Sequence, residues 1–536
     1  MHRLRELGGG VDRFSQGVLL QAPAGLGVEH LTTAVQTVLD HHDALRARLT
    51  VHDDSTWDLH IPPAGQIDAA QCVRRVDVTG VADDDLHEVI AAEADSARGR
   101  LSPVSGVMVQ AVWFDAGPEV SGRLLVVAHH LVVDGVSWRI LLPDLQTAWQ
   151  AATTSTPCAL QPVGTSFRQW AAGLTETAQD KQWTQELPWW QNVAKSTDPL
   201  MGTRALDPAR DIAASARRLT VTLPAEHTQP LLTDLPALFH AGINDVLLTA
   251  LTLAVMRWRT TRGQHTGQGL LVDLESHGRH ESVVEGAGLS GTVGWFTSHH
   301  PVHLDPGIFN QAQAWAGGAD LGRVLKRIKE QLRATPNDGI GYGLLRYLNP
   351  ATQPQLADLP VPQIGFNYLG RLPTGHAADW APAAHSTAAG SGPDPDMPLT
   401  HTLTINTLTQ DTPTDPPSPP PSPGRTPSSP VRRSSNSPTA TTKPSPRWPA
   451  TPPSPTPADA PPQTSPSSTS PKPTSTTSKP HIPTPPTSGP SHPCKKASSS
   501  TPSTTPTATT STPPSKPSAS PAPSTSPPSK PPSPPS

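Results

Sequence analysis

The sequence has few cysteines and no long hydrophobic segment. Three cysteines occur among 536 residues, Cys72, Cys158 and Cys494, which are too far apart and odd in number for a disulfide framework or a zinc-binding spacing. None of the 22 histidines lies in an HExxH arrangement. No stretch approaches the roughly 20 apolar residues of a membrane span, and the N-terminus has no apolar signal core. These absences predict a soluble cytoplasmic protein with no metal site and no membrane partner.

The last part of the chain differs in composition from the rest. From about Thr412 the sequence consists almost entirely of Pro, Ser, Thr, Lys and Ala and contains no leucine. Such a segment cannot bury enough apolar surface to offset its ordering entropy, so a disordered tail is predicted over residues 411–536. Its basic residues are scattered and it has almost no aromatic side chains to stack on bases. The tail therefore does not predict a nucleic-acid partner.

The part before the tail contains two similar-sized sets of predicted strands and helices. Their mixture of helices with antiparallel strand signals, without regular βαβ repeats, predicts an α/β (α+β) fold with two lobes, 1–160 and 161–410. The first set comprises strands at 18–22, 107–114 and 124–129 and helices at 28–49, 86–97 and 136–142. The second comprises strands at 218–222, 270–274, 363–369 and 399–408 and helices at 166–174, 182–193, 225–235, 243–258 and 321–332.

The most informative segment is HHLVVDG, from His129 to Gly135. It follows an apolar run that predicts a buried strand. Strand ends and the loops after them face clefts, so a histidine pair there is placed for chemistry. Asp134 and Gly135 supply a turn and a carboxylate that can fix the geometry. A pair of core histidines beside a turn fits these seven residues equally well.

Six segments, in order along the chain, resemble the motifs of one family. HHLVVDG resembles the HHxxxDG signature of the condensation-domain superfamily of nonribosomal peptide synthetases. The five later segments resemble motifs of its epimerization domains: residues 244–250 (DxLLxA), 275–279 (EGHGR), 292–297 (TVGWFT), 336–343 (PxxGxGYG) and 366–371 (FNYLGR). The chain is thus similar to an epimerization domain over most of residues 1–410.

The resemblance implies a fold, an activity and partners. It implies two chloramphenicol-acetyltransferase-like lobes in a V with a substrate tunnel between them. It implies an isomerase that converts the α-carbon of an aminoacyl or peptidyl thioester from L to D. The substrate would be carried on the phosphopantetheine arm of a separate peptidyl carrier domain, with other synthetase modules as further partners and no cofactor in this chain.

Epimerization needs proton-transfer groups on both faces of a planar enolate and a donor for its oxygen. The resemblance assigns the first group to His130, the tunnel-facing histidine of the signature, and the opposite one to Glu275 from the other lobe. A carboxyl in a desolvated tunnel would have a raised pKa, which suits reprotonation. Asn367 and Tyr368 are the candidates for binding the enolate oxygen or positioning the thioester, with a purely structural role as the alternative.

Four further residues are predicted to support the site. They are His129, Asp134, Gly135 and Arg279. We expect Asp134 to pair with Arg279 across the two lobes, which would shape the loop that holds His130.

The chain departs from the family pattern at several positions. Ser276 replaces a glycine, His280 stands where an acidic residue is usual, and His300 stands where tyrosine is usual. The opening PxQxWF-like motif is missing, and the tail replaces a final strand and helix, which predicts truncation at both ends and doubtful activity. The tail is explained either by a shifted reading frame or by a genuine linker.

Two other functions remain open from the sequence. One is peptide-bond condensation, which FNYLGR and Glu275 argue against because condensation needs no second base opposite His130. The other is a catalytically inactive module that binds a carrier domain, which the missing segments favour.

Overall fold

The computed structural model describes residues 2–411, except 54–55, 197, 265–268, 373–377, 384–389 and 391 and the side chain of Leu372. Beyond Asp411, the predicted tail lies outside the described residues.

The first lobe is built on a four-stranded sheet with strand order β1-β6-β5-β4. Pairing is antiparallel for β1 with β6 and for β5 with β6, and parallel for β4 with β5. The strands of this sheet are β1 (Ser15–Ala22), β4 (Val73–Asp77), β5 (Val109–Asp115) and β6 (Gly122–His129). Strands β2 (Arg48–Val51) and β3 (Trp57–His60) form a separate hairpin. Its α-helices are α1 (His2–Leu7), α2 (Val28–His41), α3 (Asp83–Arg100) and α4 (Trp138–Thr154).

Strands β5 and β6 are buried on both faces because helices cover the sheet on each side. Alternate residues such as Trp113 and Val126 pack in the core cluster that includes residues of α2 and α4. Their neighbours Val112 and Val127 pack in a second cluster, formed with α3. Successive side chains of a strand point to opposite faces, so these apolar strands are held centrally and β6 ends at the histidine pair.

The second lobe is built on another four-stranded sheet, with order β10-β9-β7-β8. Strand β7 pairs antiparallel with β8 and parallel with β9, and β9 pairs parallel with β10. The strands are β7 (Leu270–Ser276), β8 (Ser298–Leu304), β9 (Ile364–Leu372) and β10 (Leu403–Gln410). The α-helices are α5 (Phe167–Thr177), α6 (Lys181–Thr184), α7 (Leu187–Ala194), α8 (Ala225–Leu232), α9 (Asp234–Phe239), α10 (Ile243–Thr261), α11 (Gln311–Trp315), α12 (Ala319–Arg333), α13 (Ile340–Gly343) and α14 (Gln353–Ala357).

One face of this second sheet packs on α10 and α12. Val272, Ile364 and Phe366 belong to the same core cluster as Leu248 of α10 and Val324 of α12. The residues between them in β7 and β9 therefore point to the opposite face.

Two segments cross the lobe boundary predicted at residue 160. Arg3 of α1 binds Asp273 of β7 through an ion pair of 2.6 Å. In the other direction, Pro382 and Gly392 form isolated bridges with β1 of the first lobe. The two predicted lobes are thus tied together by exchanged segments.

Four predicted elements were wrong. The helix predicted over 225–235 is two helices, α8 and α9, separated at Thr233. The helix predicted to run to residue 49 ends at His41, where buried Arg46 donates to the carbonyls of Leu39 and Asp40 and satisfies the end of α2. The helix predicted over 182–193 is two helices, α6 and α7, with Pro188 in the first turn of the second. The strand predicted at 218–222 forms no described pairing, and its Leu219 is exposed.

No single helix among the described residues is long and apolar enough to cross a membrane. The pair Ala225–Phe239 and Ile243–Thr261, bent by 103°, passes this test by length and composition only.

Candidate active site

His129 is a buried structural residue at the end of β6. Its Nε2 lies 2.7 Å from the carbonyl oxygen of Val11, and its Nδ1 accepts from the backbone N–H of Leu131 at 3.2 Å. An acceptor at Nδ1 means that Nε2 carries the hydrogen of the neutral ring and donates it to Val11. Burial lowers the pKa of His129 to about 4, which keeps the ring neutral.

His130 is held between aromatic rings from both lobes. It stacks on Phe14 with ring centroids 4.5 Å apart, and Trp295 of the second lobe lies 4.8 Å away. Desolvation lowers its pKa to about 4. A neutral imidazole is therefore the resting state of His130 near pH 7, and it is able to accept a proton.

Gln16 and Trp138 fix which nitrogen of His130 accepts. The indole N–H of Trp138 donates to Gln16 Oε1 at 2.7 Å, and Gln16 Nε2 lies 2.8 Å from His130 Nε2. An indole can only donate, so the amide of Gln16 is oriented with its N–H toward His130. Nε2 of His130 is thus the unprotonated nitrogen. Sequence reasoning missed both residues, because only the pairing of β1 with β6 brings Gln16 beside the histidine loop.

Replacing Gln16 with leucine tests this arrangement. The Gln16 donor stabilises neutral His130, so we expect the Gln16→Leu variant to raise the pKa of His130 and to cost about 1–3 kcal/mol of stability by leaving the Trp138 N–H without its acceptor. Nitrogen NMR of the histidine rings would follow both tautomer and pKa, with Gln21→Leu on the same strand as control. An unchanged pKa and an unchanged tautomer would contradict the assignment.

The loop after His130 is joined to the second lobe by Asp134. Its Oδ1 accepts from the N–H and the hydroxyl of Ser137, both at 2.8 Å, and its Oδ2 accepts from the N–H of Phe296 at 3.2 Å. Arg279 lies 3.2 Å from Oδ1 in a buried ion pair. The pairing predicted between Asp134 and Arg279 is therefore present.

Arg279 makes further contacts within the second lobe. It donates to the carbonyl oxygens of Leu289 at 3.1 Å and Thr292 at 2.6 Å, and its guanidinium lies 4.0 Å from the ring centre of Phe296. These contacts hold the segment that presents Trp295 to His130.

Gly135 has no steric need for glycine in the structure. A Cβ added at this position would meet no atom within 4 Å, and its φ is not in the left-handed region. Neither side-chain packing nor backbone conformation therefore explains the supporting role predicted for Gly135.

Glu275 lies near the end of β7, directly opposite His299 of β8. Its side chain is 31% exposed, and its Oε2 lies 4.0 Å from Nε2 of His299. Burial raises the pKa of Glu275. The charge of His299 lowers this pKa, and the charge of Asp273 raises it further. Trp295 contacts His130, and His299 faces Glu275. Residues 295–299 therefore connect the two predicted proton-transfer groups.

The structure separates Asn367 from Tyr368. In the pairing of β7 with β9, Asp273 is opposite Gly365. Asn367 lies two residues after Gly365, so its side chain is on the same face of the sheet as Asp273 and Glu275. Tyr368 points to the opposite face, packs against the core cluster and contacts the hydroxyl of Thr409 at 3.0 Å. The geometry supports the structural alternative for Tyr368.

His41, His42 and Asp144 form a group in the described residues whose ligand atoms lie close enough to hold a metal ion. Nε2 of His42 is 2.9 Å from Asp144 Oδ2, and Nε2 of His41 is 2.9 Å from the carbonyl oxygen of Gln161. Each side chain therefore already has a protein partner, and the contact of His42 with Asp144 joins the end of α2 to α4.

His129 and His300 predict a loss of stability in mild acid. Both are buried, and desolvation lowers the pKa of each to about 4 from 6.5. Because the unfolded chain takes up these protons first as the pH falls, the free energy of unfolding should decrease between pH 6.5 and 4, by about 3 kcal/mol per histidine. Urea titrations at several pH values would measure it, with His300→Phe as the comparison. An equal pH dependence in the variant would contradict the assignment.

Comparison with known proteins identifies the family. The profile of the Condensation domain family matches residues 3–388, most of the chain. The chain belongs to the condensation-domain family. A linear gramicidin synthase protein of Brevibacillus parabrevis is 39% identical over 364 residues, which is 67% of this chain and 4% of that protein. Gramicidin S synthase 1 of Brevibacillus brevis is 30% identical over 383 residues, or 71% of this chain and 33% of that protein.

This condensation-family chain thus spans only a small part of these curated relatives. Among solved structures, the epimerization domain from the third module of tyrocidine synthetase B is similar with a TM-score of 0.62 and 29% identity, over 75% of this chain and 84% of that one. The X-domain from teicoplanin biosynthesis, at 19% identity and a TM-score of 0.52 over 72% and 78% of the two chains, shares the fold. The predicted superfamily and the two-lobed α/β fold are confirmed.

Proposed function

We propose that this condensation-family chain is an epimerization domain. Its substrate would be an aminoacyl or peptidyl thioester on the phosphopantetheine arm of a separate carrier domain, as part of nonribosomal peptide synthesis. The observation that carries this proposal is a second titratable group in the second lobe, Glu275. Its strand β7 pairs with β8, which follows the segment whose Trp295 contacts His130. The similarity to the tyrocidine synthetase epimerization domain supports it.

Desolvation moves both groups toward their uncharged forms. It lowers the pKa of His130 to about 4 and raises the pKa of Glu275. A neutral imidazole is a base, and a raised pKa makes the Glu275 carboxyl easier to protonate, so the two environments favour complementary roles in one direction of the reaction. His130 would take the α-proton from one face, and Glu275 would return a proton to the other.

The remaining residues would hold this arrangement. Gln16 donates to His130 Nε2, so the substrate must replace that contact before the nitrogen can accept the α-proton. The amide of Asn367, on the face of Glu275, is our candidate donor for the enolate oxygen. The Asp134–Arg279 pair would keep the two lobes in register.

Two other functions make different predictions. A condensation domain would form an amide between two carrier-bound substrates and would not need Glu275. A catalytically inactive module would bind the carrier domain without changing its thioester.

The experiment loads a carrier domain with an L-aminoacyl thioester that bears tritium at the α-carbon. We expect tritium release and the appearance of the D-enantiomer after hydrolysis. Amide formation with a second loaded carrier would support condensation instead. Carrier binding without either reaction would leave the inactive module.

A further inference from the structure

His299 lies between two carboxylates and directs one ring nitrogen to each. Its Nδ1 is 3.5 Å from Asp273 Oδ2, and its Nε2 is 4.0 Å from Glu275 Oε2. The register of β7 and β8 produces this geometry, because His299 is directly opposite Glu275. Asp273 lies two residues earlier in β7, on the same face.

The two carboxylates differ in their surroundings. Asp273 is buried, and its Oδ2 also receives Arg3 at 2.6 Å and His401 at 2.9 Å. Burial alone would raise the pKa of Asp273, but the charges of His299 and Arg3 and the hydrogen bond from His401 outweigh it and hold that pKa well below its usual range. Asp273 is thus a fixed anion, whereas Glu275 is able to titrate.

We propose that His299 is a positioning residue that bridges Asp273 to Glu275, aims the Glu275 carboxyl and exchanges a proton with it. This inference rests on the proposed function of Glu275. Protonated on both ring nitrogens, His299 would direct Nδ1 toward Asp273 and Nε2–H toward Glu275. The side chain is 31% exposed, so the ring also reaches water.

The bridge provides a balanced way to reset Glu275. After Glu275 has given its proton to the substrate carbanion, the imidazolium of His299 passes its Nε2 proton to the carboxylate and becomes neutral. His299 then regains a proton from water. No electrons are transferred and no co-reactant is needed.

The charged and titratable groups around His299 come from four elements. They are Asp273 and Glu275 of β7, Arg3 of α1, His401 before β10 and His300 of β8 itself. Arg3 and His401 are committed to Asp273. Of these groups, His299 is the one whose ring nitrogens face both carboxylates.

The test compares His299→Gln with His303→Gln, a histidine of the same strand that pairs with Leu271, four residues before Glu275 in β7. The first readout needs no activity: carbon NMR follows the Glu275 carboxyl, assigned with Glu275→Gln. Since the charge of His299 lowers the pKa of Glu275, we expect His299→Gln to raise it and His303→Gln to leave it unchanged. A Glu275 pKa that His299→Gln does not move would overturn the proposal.

The second readout is epimerization kinetics. We expect His299→Gln to lower kcat roughly tenfold with KM unchanged, to move the Glu275 limb of the pH profile to higher pH, and to regain activity with added imidazole. An unchanged pH profile, or a loss that imidazole does not repair, would overturn it. If the wild-type protein releases no α-proton, the proposed function fails, while the NMR titration still decides whether the bridge exists.

Discussion

Replacing His130 with alanine is expected to reduce L-to-D conversion of a carrier-bound aminoacyl thioester by about 10²- to 10⁴-fold, the range that a positioned acid or base contributes. Glu275→Gln should cause a loss of similar size. The reason is that each side chain serves one face of the α-carbon, so neither replaces the other. Chiral analysis of the amino acid released from the carrier would measure both rates.

The controls for this prediction are two exposed residues of the same types. His227→Ala and Glu285→Gln change side chains on the surface, and both variants should retain the wild-type rate. Thermal melting of all four variants would detect unfolding. Full conversion by either folded variant, His130→Ala or Glu275→Gln, would show that the reaction uses other groups.

The second large effect is expected at the buried ion pair between the lobes. Removing one partner of a buried pair leaves an uncompensated charge, so Arg279→Met should lower the free energy of unfolding by about 3–5 kcal/mol. Asp134→Asn should also destabilise, since Asp134 accepts from Ser137 and Phe296 as well. Urea denaturation of the single and double variants would give the coupling energy.

A partly exposed pair offers the comparison for this cycle. Arg327 and Asp305 form an ion pair at the surface, and such pairs contribute little because solvent screens them. We expect strong coupling for Asp134 with Arg279 and weak coupling for Arg327 with Asp305. Strictly additive losses at Asp134 and Arg279 would mean that the two side chains stabilise the protein independently.

Much of the site follows from local sequence signals. An apolar strand followed by HHLVVDG places the histidine pair at a strand end, and the resemblance of the later motifs to epimerization domains assigns Glu275 and suggests the Asp134–Arg279 pair. Six of the eight strands in the two sheets were predicted from runs of strand-forming residues, whereas β4 and β8 were missed. These features depend on short segments whose spacing is visible in the chain.

Other features depend on contacts between distant segments. Gln16 lies more than a hundred residues before His130, and His299 acquires its two carboxylate neighbours only through the pairing of β7 with β8. Tyr368 was grouped with Asn367 by its motif, yet strand alternation places its ring on the core side. The strand predicted at 218–222 has the right alternation but no described partner, since pairing is decided by tertiary structure rather than by local propensity.

The most direct test of the two-base mechanism is α-hydrogen exchange in heavy water by single variants. Folded His130→Ala and Glu275→Gln proteins are each incubated with carrier-bound L- and D-aminoacyl thioesters, and proton NMR follows the loss of the α-proton. If the two side chains lie on opposite faces, each variant should exchange one enantiomer only, and the two variants should exchange opposite ones. Exchange of the same enantiomer by both variants, or of neither enantiomer by either, would contradict the account.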